Sequence, residues 1–181
     1  MKKIVFATTN ENKIREASEI LHIEIIPIKL KIDEVQTLDP VECVKKKAEA
    51  AYSVGKTPIL VEDTSLFFDA WGQLPGVFID YFMKSLGNEG ILRVLSGEKN
   101  RSARAQTSLC YFDGKKAVVT KGEVKGKIAT KIKGGQGFGW DPIFIPQGNN
   151  KTFAEMASEE KNSLSMRKIA LEALRTKLAI D

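Results

Sequence analysis

One histidine and two cysteines in 181 residues leave little material for a metal centre built on imidazole or thiolate. Cys43 and Cys110 stand far apart, one in a helix pattern and one in a strand pattern. They lack metal-ligand spacing and the density of a disulfide scaffold, so they read as reduced core thiols. No apolar run approaches the roughly 18 residues that a spanning helix requires. Met1-Lys2-Lys3 passes directly into Ile4-Val5-Phe6, without the long apolar core and small-residue cleavage site of a secretory leader. A soluble, cytoplasmic protein without a membrane partner is expected. The lone His22 follows Ile20-Leu21 where helix gives way to strand, a solvated or capping place, so proton transfer falls to carboxylates or metal-bound water. Internal repeats, low-complexity runs and Pro/Ser-rich linkers are also missing, and nothing in the composition divides residues 1–181 into more than a single domain.

Charge of one sign does not dominate either. The 28 Lys and Arg exceed the 23 Asp and Glu by 5, and the pI is near 9.1. Acids and bases interleave along the chain, which suits phosphate-bearing small molecules better than a surface that coats nucleic acid. With 43% hydrophobic residues the chain is long enough to bury a proper core.

The hydrophobic patterning predicts an α/β fold. Lys3 to Ala7 reads as a buried strand, and Thr8-Thr9-Asn10 caps a helix running through Leu21 with Ile14, Ala17, Ile20 and Leu21 on one face. An apolar segment from Ile23 to Leu30 is interrupted by Pro27. Asp39-Pro40-Val41-Glu42 then opens a helix that ends near Gly55. Pro58 to Val61 forms a short strand that places Glu62-Asp63 just past its end, where open α/β sheets bind ligands. Phe78–Leu86 and Gly90–Leu95 read as two helices split by Gly87-Asn88. Ser102–Phe112 and Lys116–Val124 flank Asp113-Gly114, a hairpin signal that makes the sheet mixed. A last helix starts near Ser163.

Several segments carry chemistry. Thr8-Thr9-Asn10-x-x-Lys13 combines hydroxyls, helix N-terminal amides and a lysine one turn in; it is either a triphosphate cradle or an ordinary N-cap, and it lacks the glycines of a Walker A loop. Adjacent carboxylates at Glu62 and Asp63 repel unless a cation compensates, and magnesium with phosphates would do so. Glu34 brings a third oxygen ligand or remains a solvated acid. Lys45-Lys46-Lys47 is a solvated helix face unless one of them turns inward to phosphate. Gly137-Phe138-Gly139-Trp140-Asp141-Pro142 fixes two rings and a carboxylate in one loop, suited to a nucleobase or to a buried aromatic turn. Lys161 and Arg167 flank the start of the last helix. Arg167 either donates to a purine keto oxygen or pairs on the surface with Glu160 or Glu172.

Taken together, Thr8-x-Asn10-x-x-Lys13, Val61-Glu62-Asp63-Thr64-Ser65-Leu66, Leu74-Pro75-Gly76, Phe138-Gly139-Trp140-Asp141-Pro142, Glu160-Lys161-Asn162 and Ser165-x-Arg167 resemble, in order and over nearly the whole chain, the inosine triphosphate pyrophosphatase (Ham1) family. The resemblance implies an elongated mixed β-sheet with flanking helices forming two lobes around a central nucleotide cleft. It implies a homodimer that converts non-canonical purine triphosphates (ITP, dITP, XTP) to monophosphate and pyrophosphate, with Mg2+ as cofactor. It assigns Asp63 as general base and metal ligand, with Glu34 assisting the metal. Thr8, Thr9, Asn10, Lys13, Lys47 and Thr64 are expected to meet the substrate, as are Phe138, Gly139, Trp140, Asp141, Lys161, Met166 and Arg167. Met166 stands where the family typically has His, and Asp80 where some relatives carry a cation. No stable nucleic-acid partner is expected. The competing reading is a non-catalytic nucleotide or single-stranded RNA binder, using Phe138 and Trp140 as a stacking platform on a basic protein.

Overall fold

The computed structural model describes residues 3–180; Met1 and Lys2, on which the reading of the chain's opening residues falls, lie outside the described residues. Strand β1 (Lys3–Phe6) leads into helix α1 (Glu11–Leu21), which Asn10 caps by accepting from the backbone amides of Asn12 (3.0 Å) and Lys13 (3.3 Å). His22 ends the helix in a left-handed conformation, φ 56°. Strand β2 (Glu24–Pro27) stops at its proline. Asp39 then caps helix α2 (Pro40–Gly55), accepting from the Val41 amide at 2.9 Å, with Pro40 in the first turn as the sequence pattern requires.

Strand β3 (Ile59–Phe68) corrects one expectation: it continues through Glu62 and Asp63 instead of stopping before them. The buried Leu66-Phe67-Phe68 run prolongs the strand, and the short β4 (Pro75–Gly76) pairs with its later half. Helix α3 (Ile79–Val94) breaks at Gly87 (φ 63°, ψ −177°), the two-helix split expected there. Strands β5 (Ser102–Phe112) and β6 (Ala117–Ile128) turn at Asp113, whose carboxylate accepts from the amides of Lys115 and Lys116. Strand β7 (Phe144–Pro146) follows, and then two helices, α4 (Ser158–Leu164) and α5 (Met166–Leu178), where one was expected. Ser165 separates them with extended backbone, φ −79° and ψ 148°.

The sheet runs β2-β1-β3-β5-β6-β7, with β4 beside β3. β1 is parallel to β2 and β3, whereas β3–β4 and β6–β7 are antiparallel, so the sheet is mixed. Along the chain the molecule divides into two units. The first comprises residues up to Thr64, Thr107–Gly122 and those from Met166 onward. Strand alternation sorts its core into two layers: Leu60 and Leu109 pack with Phe6, Leu21, Leu171 and Leu174, while Ile59, Val61 and Cys110 pack with Val44, Ala48 and Ala51 of α2. The second unit comprises Ser65–Gln106 and Glu123–Ser165. An aromatic cluster fills part of it, with Phe144 and Phe153 ring centroids 5.3 Å apart.

In the first unit, α5 starts directly on β6. The Thr120 hydroxyl donates to the Ala170 carbonyl at 2.9 Å, and a Cβ on Gly122 would lie 2.0 Å from the Met166 carbonyl oxygen. Glycine is therefore the residue that fits at 122.

Both cysteines are free and buried. Burial, reinforced by Asp63, pushes the Cys43 thiol up to about 12, and burial pushes Cys110 up to about 11. The folded protein is expected to resist a disulfide thiol reagent at mildly alkaline pH, and both thiols should react once denaturant is added; fast reaction of the native protein would overturn this. Because its folded pKa is raised, the stabilising contribution of Cys43 is complete below its ordinary value of 9.0 and is lost as pH climbs toward 12.

Candidate active site

Adjacent residues on a strand face opposite ways, and β3 uses this to give its two acids different surroundings. Glu62, 3% exposed, accepts from Arg167 Nε (3.0 Å), Arg167 Nη2 (2.8 Å) and the Thr64 hydroxyl (2.9 Å), with Lys13 Nζ 3.2 Å away. Arg167, itself 1% exposed, also pairs with the buried Glu16. Burial alone would raise the Glu62 carboxyl, but the charges of Arg167 and Lys13 and the hydrogen bonds from Arg167 and Thr64 hold it well below the usual carboxylate range. Its folded pKa is depressed, so its contribution to stability is complete above the ordinary value near 4.5 and is lost as pH falls below it. Glu62→Gln is expected to flatten the acid limb of the stability curve; an unchanged limb in urea titrations across that range would overturn the assignment.

Asp63, half-buried on the other face, shares its surroundings with Glu34 and Lys47. Lys47 Nζ lies 2.6 Å from Glu34. Burial lowers the Lys47 ammonium, yet Glu34 and then Asp63 outweigh it, and the pKa ends raised. Asp63 and Glu34 also both act on Cys43. The carboxylates thus form two sets: Glu62 is committed to Arg167 and Lys13, while Asp63 and Glu34 are grouped about Lys47. Among the described residues, no group of three or more His, Cys, Asp or Glu gathers to hold a metal by itself. At the first turn, the Thr8 hydroxyl oxygen accepts from the Asn10 amide at 3.1 Å, Thr9 is exposed, and the Asn10 side chain is occupied in capping α1.

In the second unit the Gly137–Phe144 loop is built around Asp141. Its Oδ2 accepts from the Phe138 amide and from Lys161 Nζ, both at 2.8 Å. A Cβ on Gly137 (φ 76°) would sit 2.2 Å from that oxygen, so glycine is needed there on two counts. Lys161, 4% exposed, places its ammonium 4.5 Å from the centre of the Phe138 ring. Trp140 is 7% exposed and packs edge-on against Phe144 at 5.5 Å. Of the three side chains expected to clasp a base, Phe138 stays half-buried while Trp140 and Asp141 sink into the unit, Trp140 for its apolar area and Asp141 for its buried lysine partner. The two-ring platform of the RNA-binding reading is therefore reduced to one ring. Arg167 is not the surface arginine of the second sequence reading: it lies buried between Glu62 and Glu16, paired with neither Glu160 nor Glu172. Met166 is buried at 2% and Asp80 pairs on the surface with Lys84 at 2.5 Å.

A family model for the Ham1 family matches residues 4–177. This chain belongs to the Ham1 family. It is similar to a dITP/XTP pyrophosphatase of Thermococcus kodakarensis, 41% identical over 93% of this chain and 93% of that one. It is likewise similar to an inosine triphosphate pyrophosphatase of Yarrowia lipolytica, 41% identical over 97% and 95%. Among solved structures, a Ham1 protein from Coxiella burnetii superposes with a TM-score of 0.85 at 29% identity, covering 99% of each chain. The α/β architecture with its mixed sheet is thus that of the Ham1 family.

Two residues of this Ham1 chain escaped the sequence reading. Glu16 sits one turn beyond Lys13 on α1; its apolar-face position beside Ala17 was the available signal. Asn88 served only as a helix breaker, yet its side-chain amide donates to the Gly139 carbonyl at 3.0 Å and ties α3 to the aromatic loop.

Proposed function

We propose that this chain hydrolyses non-canonical purine nucleoside triphosphates, ITP, dITP and XTP, to the monophosphate and pyrophosphate. The observation that carries the reading is the separation of two carboxylate sets in a Ham1 chain: Glu62 neutralised by Arg167 and Lys13, and Asp63 grouped with Glu34 about Lys47. The second set suits a hard divalent cation, magnesium in this reading, because Mg2+ is commonly held by one or two carboxylates while substrate phosphates complete its shell. When bound there, held by Asp63 and Glu34, the ion supplies charge neutralisation on the triphosphate.

Asp63 then orients the attacking water and takes its proton. Lys47 and Lys13 are cations that can turn from glutamate to phosphate oxygen; Thr8, Thr9, Asn10 and Thr64 add hydroxyl and amide groups, and the N-terminus of α1 adds its dipole. On the base side, Phe138 offers its face. Lys161, over the ring, and Asp141, through the Phe138 amide, hold it in place, while Gly139 and Trp140 anchor the loop to Asn88 and Phe144. Arg167 serves first to hold Glu62; a purine keto oxygen at its guanidinium would compete with Glu62 and Glu16 for the same N–H groups. Met166 gives the start of α5 a thioether where a ring donor would otherwise sit.

The same reading takes the enzyme as a cytoplasmic homodimer with no stable nucleic-acid partner. Light scattering checks the first point, a mass twice the 20.1 kDa chain being expected. For the activity itself, pyrophosphate release is measured from ITP, dITP, XTP and the standard triphosphates with and without magnesium. Metal-dependent preference for the inosine and xanthine nucleotides is expected, and its absence would overturn the proposal.

A further inference from the structure

The second unit holds a half-open cavity of about 460 Å³ lined by none of the residues discussed above for catalysis. Its size falls in the range of small-molecule sites, roughly 300–1,000 Å³. Arg104, Lys125 and Lys127 line it against a single acid, Asp69, with Gln147 and Asn149 adding side-chain amides. Lys125 and Lys127 are two residues apart on β6 and so project to one face, separated by roughly 7 Å of strand. Among the described residues neither lysine takes part in an ion pair. Arg104 is spoken for in part: Glu123 lies 3.3 Å away and the guanidinium stacks 3.7 Å over Phe67. The wall opposite is a turn pinned to the strand, since the Gln147 amide donates to the Lys125 carbonyl at 2.8 Å and Gly148 follows with φ 82°.

The geometry points to a second anion site here that takes a small polyphosphate, of which inorganic pyrophosphate is the simplest. Two lysines without carboxylate partners, a third cation held rigid by stacking, and amide donors on a fixed turn match phosphate oxygens. No aromatic side chain lines the cavity, so a nucleobase gains no stacking there. The concave, single-ligand volume excludes an extended polyanion laid along the surface. This site does not rest on the hydrolytic reading, which concerns other residues.

The test is a titration of the isotopically labelled full chain with pyrophosphate in the absence of divalent metal, followed by amide resonances. Saturable shifts are expected at Gly126, Gly148 and Asn149. In Lys125→Ala/Lys127→Ala the apparent affinity at those amides should fall about tenfold or more, while the Asn12 and Lys13 amides of α1 respond as in the wild type and ITP turnover at saturating substrate is unchanged. A parallel arm uses inosine monophosphate, which is expected to bind these amides more weakly than pyrophosphate. Absent shifts, shifts that persist unchanged in the double variant, or tighter binding of the monophosphate would each overturn the assignment. Loss of ITP turnover in the wild type, by contrast, would sink the hydrolytic reading and leave these amide shifts unaffected.

Discussion

Asp63→Asn is expected to lower kcat for ITP by about 10²- to 10⁴-fold, the span that a positioned acid or base typically contributes, while KM moves far less. Asp63 shares Lys47 with Glu34, whereas its neighbour Glu62 is taken up by Arg167, Lys13 and Thr64. An asparagine keeps the shape and can still hydrogen-bond, but it cannot accept a proton and binds a divalent ion weakly. An interaction made chiefly in the transition state is lost from kcat and kcat/KM together. Steady-state kinetics of the variant with ITP decide the matter. Equal losses in turnover and affinity would show that Asp63 acts in ground-state binding. Glu62→Gln is the control: it removes a carboxylate from the same strand but from the set that faces Arg167.

The largest stability effect should follow Arg167→Met. Three charged side chains, Glu16, Glu62 and Arg167, are all at least 95% buried, with exposures of 4%, 3% and 1%. Deleting the one cation among them leaves two carboxylates sealed in the interior with Lys13 as remaining counter-charge. Breaking a buried pair in this way costs about 3–5 kcal/mol, which for a domain of this size lowers Tm by roughly 10 °C. The sign with pH follows from Glu62: without Arg167 the main cause of its depressed pKa is gone, so protonation and the accompanying loss of stability begin at higher pH than in the wild type. Calorimetry at neutral and acid pH measures both effects. The double variant Arg167→Met/Glu62→Gln should recover part of the loss, because it removes one of the stranded charges. A Tm within two or three degrees of wild type would mean that the network carries little stability.

Much of this was legible in residue patterns, and the parts that were not have physical reasons. Asn10 and Asp39 announced their helices because capping is local: a side-chain oxygen meets amides two or three residues on. Asp113-Gly114 announced the hairpin for the same reason. The length of β3 was not legible, because Glu62 and Asp63 look like a strand end until their distant partners are known. For Glu62 that partner is Arg167, far along the chain; for Leu66 and Phe67 it is β4, close in sequence but only two residues long and so without a strand pattern of its own. The division of the last helix at Ser165 was hidden because serine, leucine and methionine carry no breaker signal of their own. In the site, residue types were readable but orientation was not. Trp140 and Asp141 belong to a loop with the composition of a binding loop, yet burial against Phe144 and pairing with Lys161 decide which way they face. Glu16 was overlooked because an acid beside an apolar helix face becomes conspicuous only once its arginine is known.

The span between Glu62 and Arg167 sets an order of events during synthesis. More than a hundred residues must leave the ribosome after Glu62 before its arginine partner exists, the two positions being 105 apart. Until α5 has emerged and seated on β6 at Gly122, a nascent chain that closed its first layers would trap a carboxylate with Lys13 and the Thr64 hydroxyl but without its arginine. Productive collapse around β3 therefore waits for α5, and a stalled or truncated translation product ending before Met166 should be a substrate for cellular proteases instead of a partially working protein.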